Sequence, residues 1–423
     1  WLKSCDGLRL PRSSLRGILC LPALSAGRPR VMGLQSLFGY FGVRDGAKKG
    51  GAIPDKAYSS TDGPNGSPMT SGSSGMPMPA SGASFEIIDT KSLQASMEEV
   101  AGDVKPWSNE GFTLVKNLQD AVRNHGRVDL MSNSKEGGKQ YAVKRMPTKW
   151  VRTGPKEFAD QYATASERPW ADIGILRKLN TLSFPFVCEL IGVFRSMDET
   201  FVVSSFCTDG DLFAWCDREA VPKPGKDRET AMLPLAVQIF TGVSWLHELG
   251  IGHRDLSLEN ILLTDSGERD APRVMIIDFG MCILSQTCRR EVRGKLSYQA
   301  PEMHNEAAYD TFLGDEFAIG VVLFAMAAQD YPWTCTKRNS CQLFEYVSMF
   351  GLRRFLEKRK LRKGNGEYLI DVFTPAFTDV VEALLQAQPR QRACFGEKCL
   401  LEQAGAKPRS SIWDLKWLEG AGT

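Results

Sequence analysis

The sequence predicts a mixed α+β protein in which β-strands come first and helices dominate the later part. Two observations point to strands. Residues 128–144 form two strand-like runs separated by a polar turn at 132–138, and residues 201–207 form an apolar run of strand length. The third observation points to helices, because apolar residues recur at helical spacing over 169–182 and again over 232–249.

Charge and composition exclude several classes of protein. The 423 residues carry 52 basic and 50 acidic side chains, and this near balance does not indicate binding to nucleic acid or to acidic lipid. No uncharged apolar run approaches the roughly 20 residues that a membrane span needs. The 11 cysteines lack paired C-x-x-C spacing, which favours reduced thiols over a disulfide framework or a zinc site. We therefore expect an intracellular, cytoplasmic protein, with import into an organelle left open.

The first 105 residues differ in composition from the rest and are expected to form a disordered leader. Residues 1–31 carry six basic side chains against one acidic one, which fits either an organelle transit peptide or translated sequence upstream of Met32, the second being preferred. Residues 42–84 are rich in Gly, Ser, Pro and Met and hold too little apolar surface to offset chain entropy. Order is expected to begin near Trp107.

Two acidic motifs lie close together in the middle of the chain. The first runs from His253 to Asn260 as H-R-D-L-S-L-E-N, and the second, Asp278-Phe279-Gly280, begins eighteen residues later. Apolar runs at 261–263 and 274–277 predict two short strands that would hold the motifs face to face.

These motifs resemble those of the eukaryotic protein kinase family, whose catalytic loop reads H-R-D-x-x-x-x-N and whose metal loop reads D-F-G. The resemblance implies a two-lobed kinase fold, with an N-terminal lobe over about 110–206, a C-terminal lobe over about 207–405 and a tail over 406–423. It also implies that Asp255 receives the proton of the substrate hydroxyl, while Asn260 and Asp278 bind Mg²⁺ beside ATP.

Further motifs extend the resemblance over residues 110–405. The segment ending in Lys144 is similar to V-A-I-K, whose lysine contacts the α- and β-phosphates. Segments 294–302, 315–321 and 384–392 are similar to structural motifs of protein kinases that small-molecule kinases lack. The resemblance implies a nucleotide pocket formed by Gly126, Val128, Ala142, Lys144, Ser205, Cys207, Asp211 and Leu262, with the small Ser204 making its rear roomy.

Other residues receive structural or regulatory roles from the resemblance. His253 packs with Phe279 in an apolar stack that joins the lobes, Asp315 supports the stack from below, and none of these is assigned acid–base work. Gly280 completes the metal loop. The remaining structural assignment is a lower-lobe ion pair between Arg392 and Glu302.

Activation is predicted to need no added phosphate. In the family an arginine such as Arg254 usually binds a phosphate on the activation segment. Glu291 stands at the corresponding position, three residues before Gly294, so its carboxylate is expected to replace that phosphate. Thr287 and Ser285 are the alternative acceptors.

Three departures concern the N-terminal lobe. Ala121 and Arg123 replace the first two glycines of the phosphate-covering loop, and Arg123 is expected to point to solvent or onto the phosphates. Asp172 stands where the family carries the glutamate that pairs with the strand lysine, and it is one methylene shorter. Glu167 lies outside that register and is interpreted as an ordinary surface acid.

One further departure links two loops. Serine/threonine kinases carry lysine where this chain has Ser257, and threonine where it has Lys295. The two residue types are thus exchanged, and we expect Lys295 to supply the missing charge and Ser257 the missing hydroxyl. The alternative is that Lys295 faces solvent or contacts an acidic substrate residue.

The expected function is phosphoryl transfer from Mg·ATP to serine or threonine of protein substrates. Serine/threonine is preferred because tyrosine-specific relatives usually carry arginine after H-R-D and a different segment before A-P-E. The alternatives are a pseudokinase scaffold, motivated by the departures in the N-terminal lobe, and a small-molecule kinase, disfavoured by the later motifs. The basic residues over 353–363 are interpreted as a solvated helix face. The sequence indicates no oligomeric state.

Overall fold

A computed structural model describes residues 86–265, 271–363, 366–396 and 409–419. The predicted transit or upstream segment and the predicted disordered stretch over 42–84 lie outside these residues. Within them the chain forms a β-rich N-terminal lobe followed by a mainly helical C-terminal lobe, which confirms the predicted fold class.

The N-terminal lobe is organised around a six-stranded sheet of order β1-β5-β6-β4-β3-β2, in which only β1 runs parallel to its neighbour. Its core forms where buried side chains of β4, such as Tyr141 and Val143, meet Phe201 and the indole of Trp107, whose ring stacks 4.0 Å from that of Phe201. The hairpin predicted over 128–144 is confirmed. The strands are β1 Lys105–Pro106, β2 Phe112–Ala121, β3 Gly126–Asn133, β4 Lys139–Pro147, β5 Leu190–Arg195 and β6 Glu199–Ser205.

Four helices belong to the N-terminal lobe, and the longest two pack against each other. They are α1 Thr90–Gly102, α2 Thr148–Val151, α3 Pro155–Gln161 and α4 Pro169–Thr181. The helix predicted over 169–182 is α4, which begins with proline at its first position, where the missing N–H costs nothing.

Helix α1 corrects the predicted leader, because order begins before Trp107. Asp89 caps the helix by accepting a hydrogen bond from the Ser92 amide at 2.6 Å. Gly174 of α4 allows the close approach, since a Cβ atom there would lie 2.5 Å from Cγ of Met97. Ser96 adds a hydrogen bond of 3.0 Å from its hydroxyl to the Gly174 carbonyl. The short apolar face of α1 is stabilised by tertiary contacts with α4 and with the core that contains Val151 and Phe158, which local composition does not reveal.

The C-terminal lobe is built around α8, whose 18 residues are all buried. Within the described residues it is the one helix with the length and hydropathy of a membrane span, and its complete burial accounts for its composition. The helices are α5 Leu212–Cys216, α6 Lys226–Glu248, α7 Glu302–Asn305, α8 Thr311–Ala328, α9 Gln342–Phe350, α10 Leu352–Leu356, α11 Leu369–Val372, α12 Pro375–Leu384 and α13 Lys416–Glu419. The strands are β7 Ile261–Thr264, β8 Arg273–Ile276, β9 Thr287–Arg289 and β10 Ala308–Asp310.

The tail and the basic segment both pack as surface elements of the C-terminal lobe. Trp413 donates from Nε1 to the Phe395 carbonyl at 2.8 Å, which docks the described part of the tail. In the basic segment Arg359 and Arg362 pair with Asp330 at 2.8 and 3.4 Å, and Arg353 pairs with two acids of α12. These pairings agree with the interpretation of a solvated helix face.

Candidate active site

The loop that carries Asp255 is fixed to the centre of the C-terminal lobe. Asp315 of α8, fully buried, accepts hydrogen bonds from the backbone amides of His253 and Arg254 at 2.7 and 2.8 Å. The side chain of His253 lies against Phe279, with ring centroids 5.3 Å apart, and its Nε2 contacts the Ile277 carbonyl at 3.1 Å. These contacts match the predicted packing roles.

The antiparallel pair β7 and β8 brings the two acidic motifs together, as predicted. It is extended by a hydrogen bond of 3.1 Å from the Ile277 amide to the Asn260 carbonyl, one residue before Asp278. The metal loop therefore starts directly opposite the end of the catalytic loop.

Asp255 has one carboxylate oxygen engaged and one free. Its side chain is almost fully buried, and Oδ2 accepts from Nδ2 of Asn260 at 3.2 Å. Oδ1 is also buried but makes no hydrogen bond to any residue that the structure describes. Burial raises the pKa of Asp255, although the nearby Arg123 opposes the rise. The free oxygen is suited to receive a hydroxyl proton.

Lys144 lies between two carboxylates. Its Nζ is 2.8 Å from Oδ2 of Asp172 and 3.4 Å from Oδ1 of Asp278. Burial disfavours the charged amine, but the two carboxylates outweigh it and raise the pKa of Lys144. Asp278 is partly buried, and Lys144 lowers the pKa of its carboxyl. The predicted pair of Lys144 with Asp172 is present despite the shorter side chain.

Asp172 reaches Lys144 because α4 lies close to the metal loop. Its other oxygen accepts from the Phe279 amide at 2.9 Å, and the Arg168 amide, just before α4, donates to the Gly280 carbonyl at 3.1 Å. Asp172 thus holds the lysine and the metal loop at once, which places both relative to α4.

The residues predicted to bind Mg²⁺ offer suitable oxygen atoms. The amide nitrogen of Asn260 is used by the backbone carbonyl of Asp255 at 2.7 Å, so the other end of the amide presents its oxygen. Asp278 adds a carboxylate, held in a left-handed backbone conformation with φ of 68°. Among the described residues no cluster of three acidic, histidine or cysteine side chains forms a complete metal cage. Two oxygen ligands that leave the remaining positions to phosphate and water fit Mg²⁺.

The phosphate-covering loop differs from the prediction in what Arg123 contacts. A 3₁₀ turn over Val122–Asn124 joins β2 to β3. Gly126 is required after this turn, since a Cβ atom there would lie 1.8 Å from the Arg145 carbonyl oxygen. Arg123 points into the cleft, where Nη1 lies 2.9 Å from Oδ2 of Asp255 and 3.3 Å from Oε1 of Glu167. It contacts two carboxylates, whereas solvent or phosphate was expected.

Glu167 is a residue of the cleft, and its interpretation as a surface acid is wrong. Its side chain is 3% exposed, and burial together with the charge of Asp278 raises its pKa to about 7. Gly280 leaves room for it, because a Cβ atom at that position would lie 2.5 Å from Oε2 of Glu167. Its position two residues before the N-terminal proline of α4 was the available signal, since that end of α4 contacts the metal loop.

Val128, Ala142 and Leu262, which are predicted to line the nucleotide pocket, are half-buried. Ser204 pairs with Ala142 across β6 and β4, and its hydroxyl lies 3.5 Å from the Ala142 carbonyl. No larger side chain occupies this position at the rear of the pocket.

Some of the groups predicted to contact adenine and ribose already make contacts within the protein. The Ser205 amide donates to the Glu189 carbonyl at 2.9 Å, so the Ser205 carbonyl is the group left for a ligand. The Sγ atoms of Cys207 and Cys188 are 3.5 Å apart. Asp211 caps α5 by accepting from the Ala214 amide at 2.7 Å, and burial raises its pKa.

Ser257 and Lys295 are in direct contact, as their predicted exchange requires. Nζ of Lys295 lies 2.8 Å from the hydroxyl of Ser257, which is completely buried. The same ammonium lies 2.9 Å from Oε2 of Glu259, a neighbour that the sequence reasoning did not consider.

Two predicted ion pairs outside the cleft are present. Nη2 of Arg254 lies 3.1 Å from Oε2 of Glu291, and the hydrogen bond to Arg254 lowers the pKa of that carboxyl against the effect of burial. Arg392 and Glu302 form a buried pair with two contacts of 2.8 and 3.2 Å.

Comparisons with known proteins agree with this geometry. Residues 124–402 match the family model of the protein kinase domain. The chain is 27% identical over 353 residues to protein kinase kin1 of Schizosaccharomyces pombe. The aligned region covers 80% of this chain and 36% of that protein. It is 32% identical over 163 residues to CBL-interacting serine/threonine-protein kinase 17 of Arabidopsis thaliana, covering 37% of this chain and 35% of that protein.

A third relative is serine/threonine-protein kinase SBK1 of Danio rerio, 28% identical over 231 residues that make up 53% of each protein. The chain spans about a third of the length of the first two relatives. Because the family model matches well over half of the 423 residues, and the fold places a β-rich lobe over a helical one around the expected motifs, the chain belongs to the protein kinase family.

Proposed function

We propose that this chain is a serine/threonine protein kinase that transfers the γ-phosphoryl group of Mg·ATP to hydroxyl groups of protein substrates. The observation that carries the proposal is the state of Asp255, whose buried carboxylate contacts Asn260 through one oxygen and makes no hydrogen bond to a described residue through the other. The ion pair of Lys144 with Asp172 and the position of Asp278 support it, because both lie in the same cleft.

In the proposed reaction, the substrate hydroxyl oxygen forms a bond to the γ-phosphorus, and the bond from that phosphorus to the ADP oxygen breaks. The hydroxyl proton passes to the carboxylate of Asp255, whose raised pKa favours accepting it. Lys144 would hold the α- and β-phosphates, and Asp172 orients it. Mg²⁺ at Asn260 and Asp278 would supply positive charge at the phosphate oxygens.

Serine or threonine is the proposed acceptor. The relatives named above that carry an acceptor in their names are called serine/threonine-protein kinases, which supports this assignment by similarity. Lys295 and Ser257 supply the charge and the hydroxyl that such kinases carry in the opposite loops, and their contact of 2.8 Å supports an intact substrate side of the cleft.

A pseudokinase is the second candidate, and one observation favours it. Arg123 contacts the carboxylate of Asp255, so a cationic side chain already lies where substrate and phosphate would meet. In a scaffold that does no chemistry, this ion pair would close the cleft permanently. The ion pair of Lys144 with Asp172 and the position of Asp278 beside that lysine argue for the enzyme instead, since the groups that would bind phosphate and metal are all in place.

The test is transfer of labelled γ-phosphate to generic protein substrates with Mg²⁺, comparing the wild type with Asp255→Asn. Asparagine keeps the size of the side chain and the contact with Asn260 but cannot accept the proton. We expect measurable transfer by the wild type and a loss of about 10²-fold or more in the variant. Equal transfer by both proteins, or none by either, would contradict the enzyme and favour the scaffold.

A further inference from the structure

The centre of the proposed transfer site lacks a free positive charge from its own loop. Ser257 is uncharged, and the ammonium of Lys295, which contacts it, also lies 2.9 Å from the Glu259 carboxylate. That carboxylate offsets part of the charge of Lys295. A phosphoryl group in transfer is stabilised by cations placed beside its oxygens, so another source of charge near Asp255 would be expected to matter.

Arg123 brings such a charge from the opposite lobe. Its guanidinium is 2.9 Å from Oδ2 of Asp255, the oxygen that Asn260 also contacts, whereas Oδ1 is buried and makes no hydrogen bond to a described residue. The arginine therefore places a positive charge directly beside the carboxylate at which substrate and phosphate would meet.

The guanidinium also keeps hydrogen-bonding capacity in reserve. All of its contacts in the described structure are made by Nη1, which reaches Asp255, Glu167 and the sulfur of Met281. The side chain is 40% exposed, and its remaining N–H groups make no hydrogen bond to a described residue. A planar guanidinium with free donors is the group best suited to bind phosphate oxygens in pairs.

The loop around Arg123 offers fewer backbone N–H groups to bind phosphate than a glycine-rich loop does, so a side chain that binds phosphate matters more here. Its backbone is curled into the 3₁₀ turn Val122–Asn124, and the His125 amide is used by the Val122 carbonyl at 3.0 Å. That amide is not free to bind phosphate. Where backbone donors are lost, a cationic side chain from the same loop can replace them.

Glu167 fixes where the arginine lies. Its buried carboxylate is 3.3 Å from Nη1 and comes from the chain just before α4, so the arginine is held from two sides. Without this second carboxylate the long side chain would be free to leave the cleft, since its exposed part has no other anchor among the described residues.

We propose that Arg123 is a further catalytic residue, whose guanidinium donates to the oxygens of the transferring γ-phosphoryl group beside Asp255, and that Glu167 is the positioning residue that holds it there. The inference rests on the proposed kinase function. It assigns to a side chain of the phosphate-covering loop the charge that the catalytic loop lacks.

The test compares Arg123→Ala, Arg123→Lys and the control Arg127→Ala. Arg127 is an arginine of the same hairpin with similar exposure, but it pairs with Asp129, outside the cleft. We expect Arg123→Ala to lower kcat by about 10²-fold, the lysine variant to retain part of the rate, and the control to match the wild type. Added guanidinium ion should restore part of the activity of Arg123→Ala and of no other variant.

Binding provides a readout that does not need turnover. Arg123→Ala should weaken binding of a non-hydrolysable ATP analogue about 10-fold or more and leave ADP binding unchanged, because only the γ-phosphate is contacted. Glu167→Gln should lower kcat in the wild type but not in the Arg123→Ala background, since it acts through the arginine.

The outcomes separate the two proposals. If Arg123→Ala turns over as fast as the wild type, or faster, the arginine is dispensable or inhibitory and this inference is overturned, while the kinase function stands. If the wild type transfers no phosphate, the kinase function fails, and loss of selective ATP binding in Arg123→Ala still tests the contact with the γ-phosphate. Equal weakening of ATP and ADP binding would also overturn it.

Discussion

The catalytic loop and the phosphate-covering loop face each other across one cleft but follow the family pattern to different degrees. In the catalytic loop, Asp255 and Asn260 occupy the expected places, and Asp315 holds the backbone from beneath. In the opposite loop, Ala121 and Arg123 replace glycines, and Arg123 spans the cleft. The catalytic loop, which is held by buried backbone contacts, has the residues of the family pattern. The phosphate-covering loop, which is more exposed, carries a cationic side chain where the family pattern has a glycine.

Helix α4 shows how one of these departures is accommodated. The shorter Asp172 still reaches Lys144 because the N-terminal end of α4 is bonded to the metal loop at Phe279 and Gly280. On its other side α1 packs against Gly174 and adds the ion pair of Glu99 with Arg177 at 2.9 Å. Contacts on both sides of α4 therefore hold the helix where the shorter side chain of Asp172 can still reach Lys144.

The largest expected effect concerns residues of the cleft that match the family motifs. Lys144→Met and Asp278→Ala should each lower phosphoryl transfer by about 10²-fold or more, because each removes a charge that positions the phosphates. Both proteins should remain folded, which thermal unfolding followed by circular dichroism would check. Wild-type turnover in both variants would show that the cleft is not the site of transfer.

The next effect tests whether the exchange between neighbouring loops is functional. Lys295→Thr should lower kcat by about 10-fold or more, because the charge beside Ser257 is lost. The double variant Lys295→Thr with Ser257→Lys should recover much of the rate, since it returns the lysine to the catalytic loop. A double variant no faster than Lys295→Thr alone would leave Lys295 as a surface or substrate-contacting residue.

A smaller effect should appear as a pH dependence of stability on the divergent side. The pKa of Glu167 is raised from 4.5 to about 7, so between these values the folded protein keeps a proton that the unfolded chain has released. Stability of the wild type should therefore fall over this window relative to Glu167→Gln, by up to about 3 kcal/mol, and the gap should stay constant at higher pH.

The measurement is thermal unfolding of both proteins across pH 4 to 9 in metal-free buffer without nucleotide. Arg127→Ala, which alters an arginine pair outside the cleft, serves as the control for a pH-independent difference. A gap between wild type and Glu167→Gln that does not change with pH would mean that the pKa of Glu167 is the same in the folded and unfolded states, and would contradict the prediction.

The smallest effect concerns activation. Because Glu291 already pairs with Arg254, phosphatase treatment should change activity by less than about twofold. Glu291→Gln should lower kcat by at most about fivefold, since the carboxylate is partly exposed and such pairs contribute about 1 kcal/mol or less. Transfer of labelled γ-phosphate to a protein substrate, before and after treatment and after removal of the phosphatase, provides the measurement. Silencing by phosphatase would instead identify a phosphorylated residue, with Thr287 and Ser285 as the first to examine.

The sequence was informative where function depends on residues close together in the chain. The motif from His253 to Asn260 and the metal loop are joined by two short strands, so their resemblance to the kinase motifs was enough to predict that Asp255 and Asp278 lie in one cleft. The positions of Arg123 and Glu167 were predicted wrongly because their contacts join distant parts of the chain. Arg123 contacts Asp255, 132 residues further on, and Glu167, 44 residues further on. No local pattern reports such distances.

The same reasoning explains why α1 was missed. Its buried face is made by Leu93, Ser96 and Val100, a weak apolar signal directly after a stretch rich in glycine and serine. Packing against α4 stabilises α1, and Gly174 in the middle of α4 was the available sign of this contact. A glycine inside a helix costs about 1 kcal/mol of stability relative to alanine, so its presence indicates that another element packs closely there.

The small side chain of Ser204 has a practical consequence for finding substrates. Because the residue that pairs with Ala142 on β6 is only a serine, the pocket should admit an ATP analogue that carries a benzyl group on the exocyclic amine of adenine. The wild-type enzyme would then label its substrates selectively in a crude extract when given the analogue with a tagged γ-phosphate. Ser204→Met should abolish use of the analogue and retain use of ATP, which a competition assay between the two nucleotides would measure.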